Sequence, residues 1–377
     1  MENSEKINKR AVISFAGGFL GWLMGSGFAT GQELLQFFSG YGFWGYAAIA
    51  VNLVGFSVIG GILVMTGYRN REERDFDQLQ YFCGRRLGTF YSWLIPLMLI
   101  PTMAVLISGA GATLHEYYGM NHYVGAALMS ILVLLAYLIG FQRFIRVVSM
   151  ITPLIVIFSL TVGIAVICMD AGRLSDVPAY SETLASAKNS PTWYISGVLY
   201  ISLTFLGGSS YYTALGSTGT SEREIKLGTA AGVAAMIVSI TVLVTAMLCN
   251  AGSIVSLDVP NLYLAGKVSP VLGGVFSIML ILGIFSACSA MMWTVCSKFR
   301  SGDDDVKKSR IFAICMVTAV FFLSLFSFSG LMSVLYPFIG YTGLVYMLCV
   351  LHKVVLQRRK KAVCAESVPE INDPGEI

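Results

Sequence analysis

The chain has 377 residues, of which 56% are hydrophobic and only 12% are charged, and its formal net charge is +4. This composition excludes an ordinary soluble domain and indicates an all-α, polytopic membrane protein. The length is accounted for by about ten spans of roughly 20 residues with their loops. The eight cysteines show no metal-ligand spacing, so we expect most of them to be small buried thiols.

Ten apolar segments follow one another along the chain. We predict spans at 11–38, 43–67, 89–118, 122–140, 147–169, 192–217, 227–250, 271–297, 310–328 and 330–352. The membrane domain is therefore predicted to cover residues 11–352, after a polar N-terminus at 1–10. The remaining tail, 353–377, begins basic and then turns acidic and polar, so we expect it to be disordered.

Two of the connecting segments carry structural signals of their own. Segment 68–88 is strongly charged and is predicted to include an interfacial helix. Segment 251–270 contains Asp258, Pro260 and Pro270 and is predicted to be a loop with a short helix at NLYLAG.

The first span has an unusual centre. Within FAGGFLGWLMGSGFATGQELLQFF (15–38), the tripeptide 25–27 is Gly-Ser-Gly, and Gly21 and Gly31 flank it. Glycine is the weakest helix former after proline, so we predict that the helix unwinds there. Unpaired backbone groups cost several kcal/mol each in lipid, so such a break is stable only inside protein or against a wet cavity. A broken helix at mid-membrane favours a binding device over a simple anchor.

The distribution of basic residues gives the predicted orientation. With ten spans, both termini lie on one side, and the loops of that side carry 22 of the 25 Lys and Arg residues. The other side carries only Arg173, Lys188 and Lys267. Because positive charge concentrates in cytoplasmic loops, both termini are predicted to be cytoplasmic in the cell membrane.

The sixth span repeats the pattern of the first. Its centre, 207–210, is Gly-Gly-Ser-Ser, and the span opens the second half of the chain. The halves 11–169 and 192–352 would have opposite topology, and paired broken helices in inverted halves are typical of secondary transporters. The alternative is that both glycine clusters only permit close helix packing. We favour broken helices in both spans.

Helix ends at the two breaks define the predicted site. Backbone amides at the start of the outer half of span one suit a carboxylate, namely those of Ser26, Gly27 and Phe28. Carbonyl groups that end the inner half, including those of Gly21 and Met24, suit a cation. We expect Gly208 and Ser209 of span six to complete one cavity near mid-membrane, with Tyr200 and Phe205 as candidate lining residues. The expected solute is an amino acid or a small organic acid.

The stretch GSGFATGQELLQFF (25–38) resembles the signature of the YkvI-like family of uncharacterised bacterial membrane proteins. More distantly, the layout resembles the amino acid–polyamine–organocation superfamily, which includes the neurotransmitter:sodium symporters. This resemblance implies a five-plus-five inverted repeat and a solute transporter, often cation-coupled, with substrate between spans one, three, six and eight.

The resemblance also implies a cation site on span eight. In the sodium symporters two adjacent hydroxyl residues of that span bind the ion, and the matching stretch here is GIFSACSAMM. Ser286 fits the first position, Ala287 occupies the second, and Ser289 lies one turn further on the same face. A second cation site is expected to be absent, because Phe28 stands where those symporters have an asparagine.

Glu33 is the only acid well inside a predicted span. An intramembrane carboxylate is a functional candidate by default, and this one suits proton coupling. The alternative is a structural carboxyl near the outer mouth, hydrogen-bonded to a neighbouring helix. Both interpretations remain open at this stage.

The sequence predicts a secondary transporter with H⁺ or Na⁺ coupling and no bound cofactor or metal. The expected partners are the lipid bilayer and a small solute, and no nucleic acid. The alternative is a receptor of the same fold that binds an amino acid without moving it, as spore germinant receptors do. An enzyme is not expected, because the sequence has no HExxH motif, no serine–histidine arrangement and no facing pair of acids.

Overall fold

The structure, a computed structural model, describes residues 8–23, 26–73, 76–139, 151–298 and 306–366. Within these ranges the regular structure is helical and no strand is present. The helices are α1 (Lys9–Leu23), α2 (Ser26–Thr30), α3 (Gln32–Phe37), α4 (Trp44–Arg69), α5 (Gln78–Tyr118), α6 (His122–Ile139), α7 (Ile151–Asp170), α8 (Ser181–Ala185), α9 (Trp193–Ser217), α10 (Glu222–Leu248), α11 (Ala251–Ile254), α12 (Pro260–Val268), α13 (Pro270–Lys298), α14 (Val306–Leu323) and α15 (Phe328–Glu366). The all-helical membrane architecture predicted from composition is confirmed.

Each of the ten predicted spans overlaps one of these helices or, for the first span, the run from α1 to α3. Seven helical segments of the described residues are long and apolar enough to cross a membrane. They are α4, α5, α6, the segment Leu154–Ala185 that begins in α7, α10, α13 and α15. The first, sixth and ninth predicted spans are helical but are not among these seven, so the count of ten spans stays a prediction.

The sixth predicted span is not broken. α9 runs as one α-helix from Trp193 to Ser217, so the prediction of unwinding at its glycine cluster is wrong. A Cβ atom placed on Gly208 would lie 2.6 Å from Nε1 of Trp22 in α1, and one on Gly207 would lie 3.2 Å from the same ring. The Trp22 indole N–H donates to the Thr204 carbonyl oxygen at 3.2 Å. These glycines therefore leave room for a tryptophan of α1, as close helix packing requires.

The two structured connections agree with the sequence. α5 begins at Gln78, in the charged connection, and its first turns are set apart by a kink at Gly84, where φ is 73°. The predicted helix at NLYLAG is α12, which starts with Pro260 in the first helical turn. Both helices lie where the sequence places them.

The last helix extends into the C-terminal tail. α15 continues to Glu366, well beyond the predicted end of the last span at residue 352, and the disorder of the tail stays a prediction. Gln, Arg, Lys and Ala are strong helix formers and extend the preceding helix at little cost. Residues 367–377 lie outside the described residues.

Buried apolar side chains form two clusters. The smaller cluster joins α5, α6, α13 and α14. The larger one joins α1 to α4, α7, α9, α10, α12 and α15, and α5 and α13 contribute to it as well. α2 packs against α5, α7, α12 and α13. Two of these helices, α5 and α13, belong to both clusters, so the interrupted first span lies against the helices that join them.

Candidate functional site

The first predicted span is interrupted between Thr30 and Gln32, where α2 gives way to α3. The predicted break at 25–27 falls partly on Met24 and Gly25, which lie outside the described residues, so unwinding there stays a prediction.

Gly31 fixes the interruption between α2 and α3. Its φ of 89° and ψ of −9° are left-handed, a conformation that glycine adopts without the Cβ penalty. A Cβ atom there would lie 2.7 Å from Met247 Cε and 2.8 Å from Asn261 Cγ. The sequence flagged this glycine only as a flank of 25–27, whereas the structure makes it a break of its own.

Asn261 satisfies the carbonyl groups that this break exposes. Its Nδ2 atom donates to the carbonyl oxygens of Phe28 at 3.2 Å and Ala29 at 3.0 Å. The Phe28 oxygen also accepts from the Gly31 N–H at 3.1 Å, and buried carbonyl oxygens at a helix interruption are costly to leave unpaired. The loop helix α12 therefore caps the broken first span from a position 230 residues further along the chain.

Glu33 lies one turn after the break and meets two tyrosines from other helices. The Tyr200 hydroxyl of α9 donates to Glu33 Oε2 at 3.4 Å. The Tyr336 hydroxyl of α15 is a second hydrogen-bond partner of the same carboxyl group. Both tyrosines are buried, and none of the ion pairs found among the described residues involves Glu33. This acid of a predicted span is thus held by hydroxyl groups, and no cation of the described residues pairs with it.

Unpartnered buried acceptor atoms occur on the same short helix as Glu33 and on Asn261, which caps the neighbouring break. Gln32 and Gln36 are 2% and 3% exposed, and the Oε1 atom of each has no hydrogen-bond partner among the described residues. The same holds for Oδ1 of Asn261. We call these side chains the Gly31 polar cluster: Gln32, Glu33, Gln36, Tyr200, Asn261 and Tyr336. Unsatisfied buried acceptors are expensive, and a ligand that carries donors would satisfy them.

The loop that carries Asn261 is anchored at its start. Glu116, at the end of α5, accepts from the backbone N–H groups of Asp258 at 2.7 Å and Val259 at 3.3 Å. The Asp258 carboxylate in turn accepts from the backbone N–H of Ser329 at 3.1 Å. The Ser329 carbonyl oxygen accepts from Gln36 Nε2 at 3.1 Å, which links the loop to α3. Glu116 therefore has a structural role.

A second anchor holds the other end of α12. The Lys267 ammonium lies 2.6 Å from Asp170 Oδ2 and donates to Asn250 Oδ1 at 2.5 Å. Asp170 ends α7, and Asn250 follows α10. The loop helix is thus fixed to two further helices, and so is the cap on the first span.

The predicted carboxylate contacts lie at the start of α2. Ser26 begins this helix and Gly27 follows, while Phe28 is 2% exposed with its carbonyl oxygen capped by Asn261. Residues 24 and 25, directly before Ser26, lie outside the described residues, so the carboxylate contacts stay a prediction.

The predicted residues of span six lie inside α9 and are engaged in packing. Phe205 is fully buried, with its ring centroid 4.9 Å from that of Phe56. Ser209 is fully buried as well, and its hydroxyl donates to the Leu206 carbonyl oxygen at 3.2 Å. Together with Gly208 against Trp22, these contacts belong to the helix interface and do not include the Gly31 polar cluster.

The predicted ion ligands are divided between two places. Gly21 is exposed near the Tyr211 hydroxyl, and Met24 lies outside the described residues. Ser286 and Ser289 are buried on α13, which packs against α2, and the Ser289 hydroxyl has no partner among the described residues. The two serines therefore lie on a helix that contacts the broken span, and the ion site itself stays a prediction.

Four residues of the cluster escaped the sequence reasoning: Gln32, Gln36, Asn261 and Tyr336. The two glutamines carried a usable signal, since amides at i and i+4 of an apolar stretch share one face. Asn261 and Tyr336 carried none, because they are recognised only by what they contact from distant parts of the chain.

No family model matches the chain. A crystal structure of an Eremococcus coleocola manganese transporter has a TM-score of 0.46 and 13% identity, covering 93% of this chain and 94% of that one. A mutant of the same transporter gives a TM-score of 0.44 and 12% identity, with 95% and 97% covered.

Two proteins of Bacillus subtilis (strain 168) are similar over nearly their whole length. The uncharacterised membrane protein YkvI is 25% identical over 348 residues, which cover 90% of this chain and 95% of YkvI. The uncharacterised protein YyaD is 24% identical over 351 residues, with 90% and 96% covered. The resemblance suggested by GSGFATGQELLQFF is thereby confirmed.

Proposed function

We propose that this homologue of YkvI and YyaD is a secondary transporter that moves a small solute across the cell membrane by alternating access, with proton coupling through Glu33. The observation that carries the proposal is the carboxyl group of Glu33, which lies just after the Gly31 break and is held by hydroxyl groups from α9 and α15. Ionisable groups inside membrane segments are costly and mark ion pathways and proton relays.

The hydrogen bonds of Glu33 depend on its protonation state. A carboxylate accepts from both tyrosine hydroxyls, whereas a protonated carboxyl group has an O–H donor of its own and fewer free lone pairs. Proton binding therefore changes how α3 is held against α9 and α15. Proton binding therefore has a direct effect on helix packing, which is what the coupling of proton binding to a conformational change requires.

The acceptor atoms of the Gly31 polar cluster favour a solute that carries donors. Three buried carbonyl oxygens, on Gln32, Gln36 and Asn261, have no partner among the described residues. An ammonium group presents three donors, and an amino acid carries one beside its carboxylate. An amino acid is therefore the solute class we propose, with Ser26 and Gly27 retained as proposed carboxylate contacts.

The proposal includes ten spans with both termini in the cytoplasm. The support is the placement of 22 of the 25 Lys and Arg residues on one side of the predicted map. In this orientation the anchored loop that carries α12 lies outside, above the broken first span.

Accumulation of labelled amino acids in proteoliposomes tests the proposal. Purified protein is first screened by thermal shift against amino acids and organic acids, with and without sodium. Those that shift the midpoint are then tested for uptake under an imposed proton gradient. We expect uptake without sodium, since Ala287 replaces one hydroxyl of the sodium site that the symporter resemblance implies.

Glu33→Gln should lower proton-driven accumulation about tenfold or more while the solute still shifts the thermal midpoint. The matched control is Glu182→Gln at an exposed acid of α8, which should leave accumulation unchanged. Full accumulation by Glu33→Gln would remove this residue from the mechanism. Binding by the native protein without any accumulation would identify a receptor instead.

A further inference from the structure

The first turns of α5 rest on one face of α15. The Tyr81 ring lies 4.8 Å from the Lys353 ammonium, and its hydroxyl accepts from Gln357 Nε2 at 2.6 Å. The neighbouring Phe82 ring contacts the Tyr346 ring, with centroids 6.5 Å apart. Positions 346, 349, 353 and 357 share one face of a helix, because they are three or four residues apart. Position 349 therefore lies between the partners of Tyr81 and Phe82.

Position 349 is a cysteine, and the residue after Phe82 is a cysteine as well. Cys83 and Cys349 are therefore neighbours where the start of α5 rests on α15. Both side chains are partly buried. Tyr91 stacks edge-on against Tyr346 at 5.7 Å and closes the other side of the pair.

The backbone on both sides holds this arrangement. Gly84, directly after Cys83, turns the chain with a φ of 73°, so the first turns of α5 lie apart from the rest of the helix. The Tyr91 hydroxyl then donates to the Thr342 carbonyl oxygen at 3.0 Å and fixes the next part of α5 to α15. Contacts before and after Cys83 hold this part of α5 against the face of α15 that carries Cys349.

We propose that Cys83 and Cys349 are a redox site, which a peroxide oxidises to a disulfide that ties the start of α5 to α15. One thiolate attacks the peroxide, so that an S–O bond forms, the O–O bond breaks, and the hydroxide takes a proton to leave as water. The second sulfur then attacks the sulfenic acid, an S–S bond forms, and a second water leaves. Two thiols and one H₂O₂ give one disulfide and two waters.

In the proposed topology both cysteines lie near the cytoplasmic face, where cellular thiols keep cysteines reduced. The pair is therefore a dithiol at rest and closes under oxidation. α15 carries Tyr336, the partner of Glu33, and packs extensively against α9. A covalent tie between the connection of spans two and three and the last span would restrict movement of α15 relative to α5.

The test is a cleavage assay on the full-length protein in membranes. A protease site inserted within residues 301–305 separates the two cysteines into different fragments. Membranes are treated with hydrogen peroxide, remaining thiols are blocked, the site is cleaved, and the fragments are separated on a non-reducing gel. We expect the fragments to stay linked after peroxide and to separate when a dithiol reductant is added.

Variants assign the linkage. Cys83→Ser and Cys349→Ser should each abolish the linked band, whereas Cys315→Ser, at an exposed cysteine of α14, should retain it. Separate fragments in the native sequence after peroxide, or a linked band that persists in Cys83→Ser or Cys349→Ser, would overturn the proposal. The readout is a covalent bond and does not depend on transport. The test of the disulfide is therefore independent of the proposed function.

Discussion

Gly31→Ala is the substitution that most directly tests the architecture of the broken first span. The residue has a left-handed φ of 89°, and a Cβ atom would enter the space of Asn261 and Met247. Met247 contributes the flexible end of its side chain and can move cheaply. Asn261 contributes its amide carbon, and that amide caps two carbonyl oxygens, so its displacement has a cost.

The expected loss of stability is worked from these contacts. A non-glycine residue in the left-handed region costs about 1–2 kcal/mol. Each of the two hydrogen bonds from Asn261 contributes about 0.5–1.5 kcal/mol, and both are strained or lost. Alanine restricts the unfolded chain and returns about 0.4–1 kcal/mol. Gly31→Ala should therefore destabilise the protein by roughly 1–5 kcal/mol.

The assay is reversible unfolding of purified protein in mixed micelles, monitored by tryptophan fluorescence. Gly61→Ala is the matched control, because Gly61 is helical with a φ of −59° and nothing lies within 4 Å of an added Cβ. That variant should be neutral or gain up to about 1 kcal/mol. A Gly31→Ala protein as stable as Gly61→Ala would refute the assignment of a break at Gly31.

A double-mutant cycle separates the two causes. Asn261→Ala removes the capping side chain and should itself destabilise the protein by about 1–3 kcal/mol. If the added methyl group acts by displacing Asn261, Gly31→Ala should cost less in the Asn261→Ala background. Strict additivity would show that the backbone conformation alone accounts for the loss.

Two further predictions follow from the helices around the site. Gly208→Val should destabilise the protein by about 1–3 kcal/mol, because the added side chain would overlap Trp22. The control is Gly17→Val, since nothing lies within 4 Å of a Cβ atom added at Gly17. Equal unfolding free energies for the two variants would contradict the assignment of Gly208 to helix packing. Cysteines introduced at the exposed residues Ser181 and Ser256 should react with a membrane-impermeant maleimide in intact cells. A cysteine at residue 301, outside the described residues, should not react. Labelling at residue 301 alone would overturn the predicted orientation of the protein in the membrane.

The helices themselves could be predicted from the sequence with good accuracy. Long apolar segments separated by charged or Pro-containing loops locate the long helices from α4 to α15, and the short helix α12 follows from Pro260 before an apolar turn. The short helices α8 and α11 were not predicted. Helix ends were less predictable. α15 extends to Glu366 because helix formers follow the span, and hydropathy has no information on such polar extensions.

The candidate site was only partly predictable. Glu33 was found because a carboxyl group within an apolar span is conspicuous in any sequence. Its partners Tyr200 and Tyr336 are aromatic residues in aromatic-rich helices, and nothing local distinguishes them from the tyrosines that pack elsewhere. Asn261 acts on α2 from a loop 230 residues away, so its role depends entirely on tertiary structure.

Gly31 and Gly208 show why glycine in a sequence does not by itself decide between a helix break and a close helix–helix contact. Gly208 stays helical because Trp22 fills the space its missing side chain leaves, and the indole N–H adds a hydrogen bond. Gly31 leaves the helix because its backbone is left-handed and Asn261 satisfies the carbonyls that the turn exposes. Low helix propensity is common to both sites, and the partner determines the outcome. The proposed function therefore depends on one interrupted span and on Glu33, which tyrosines of α9 and α15 hold. It does not require broken helices in both the first and the sixth span.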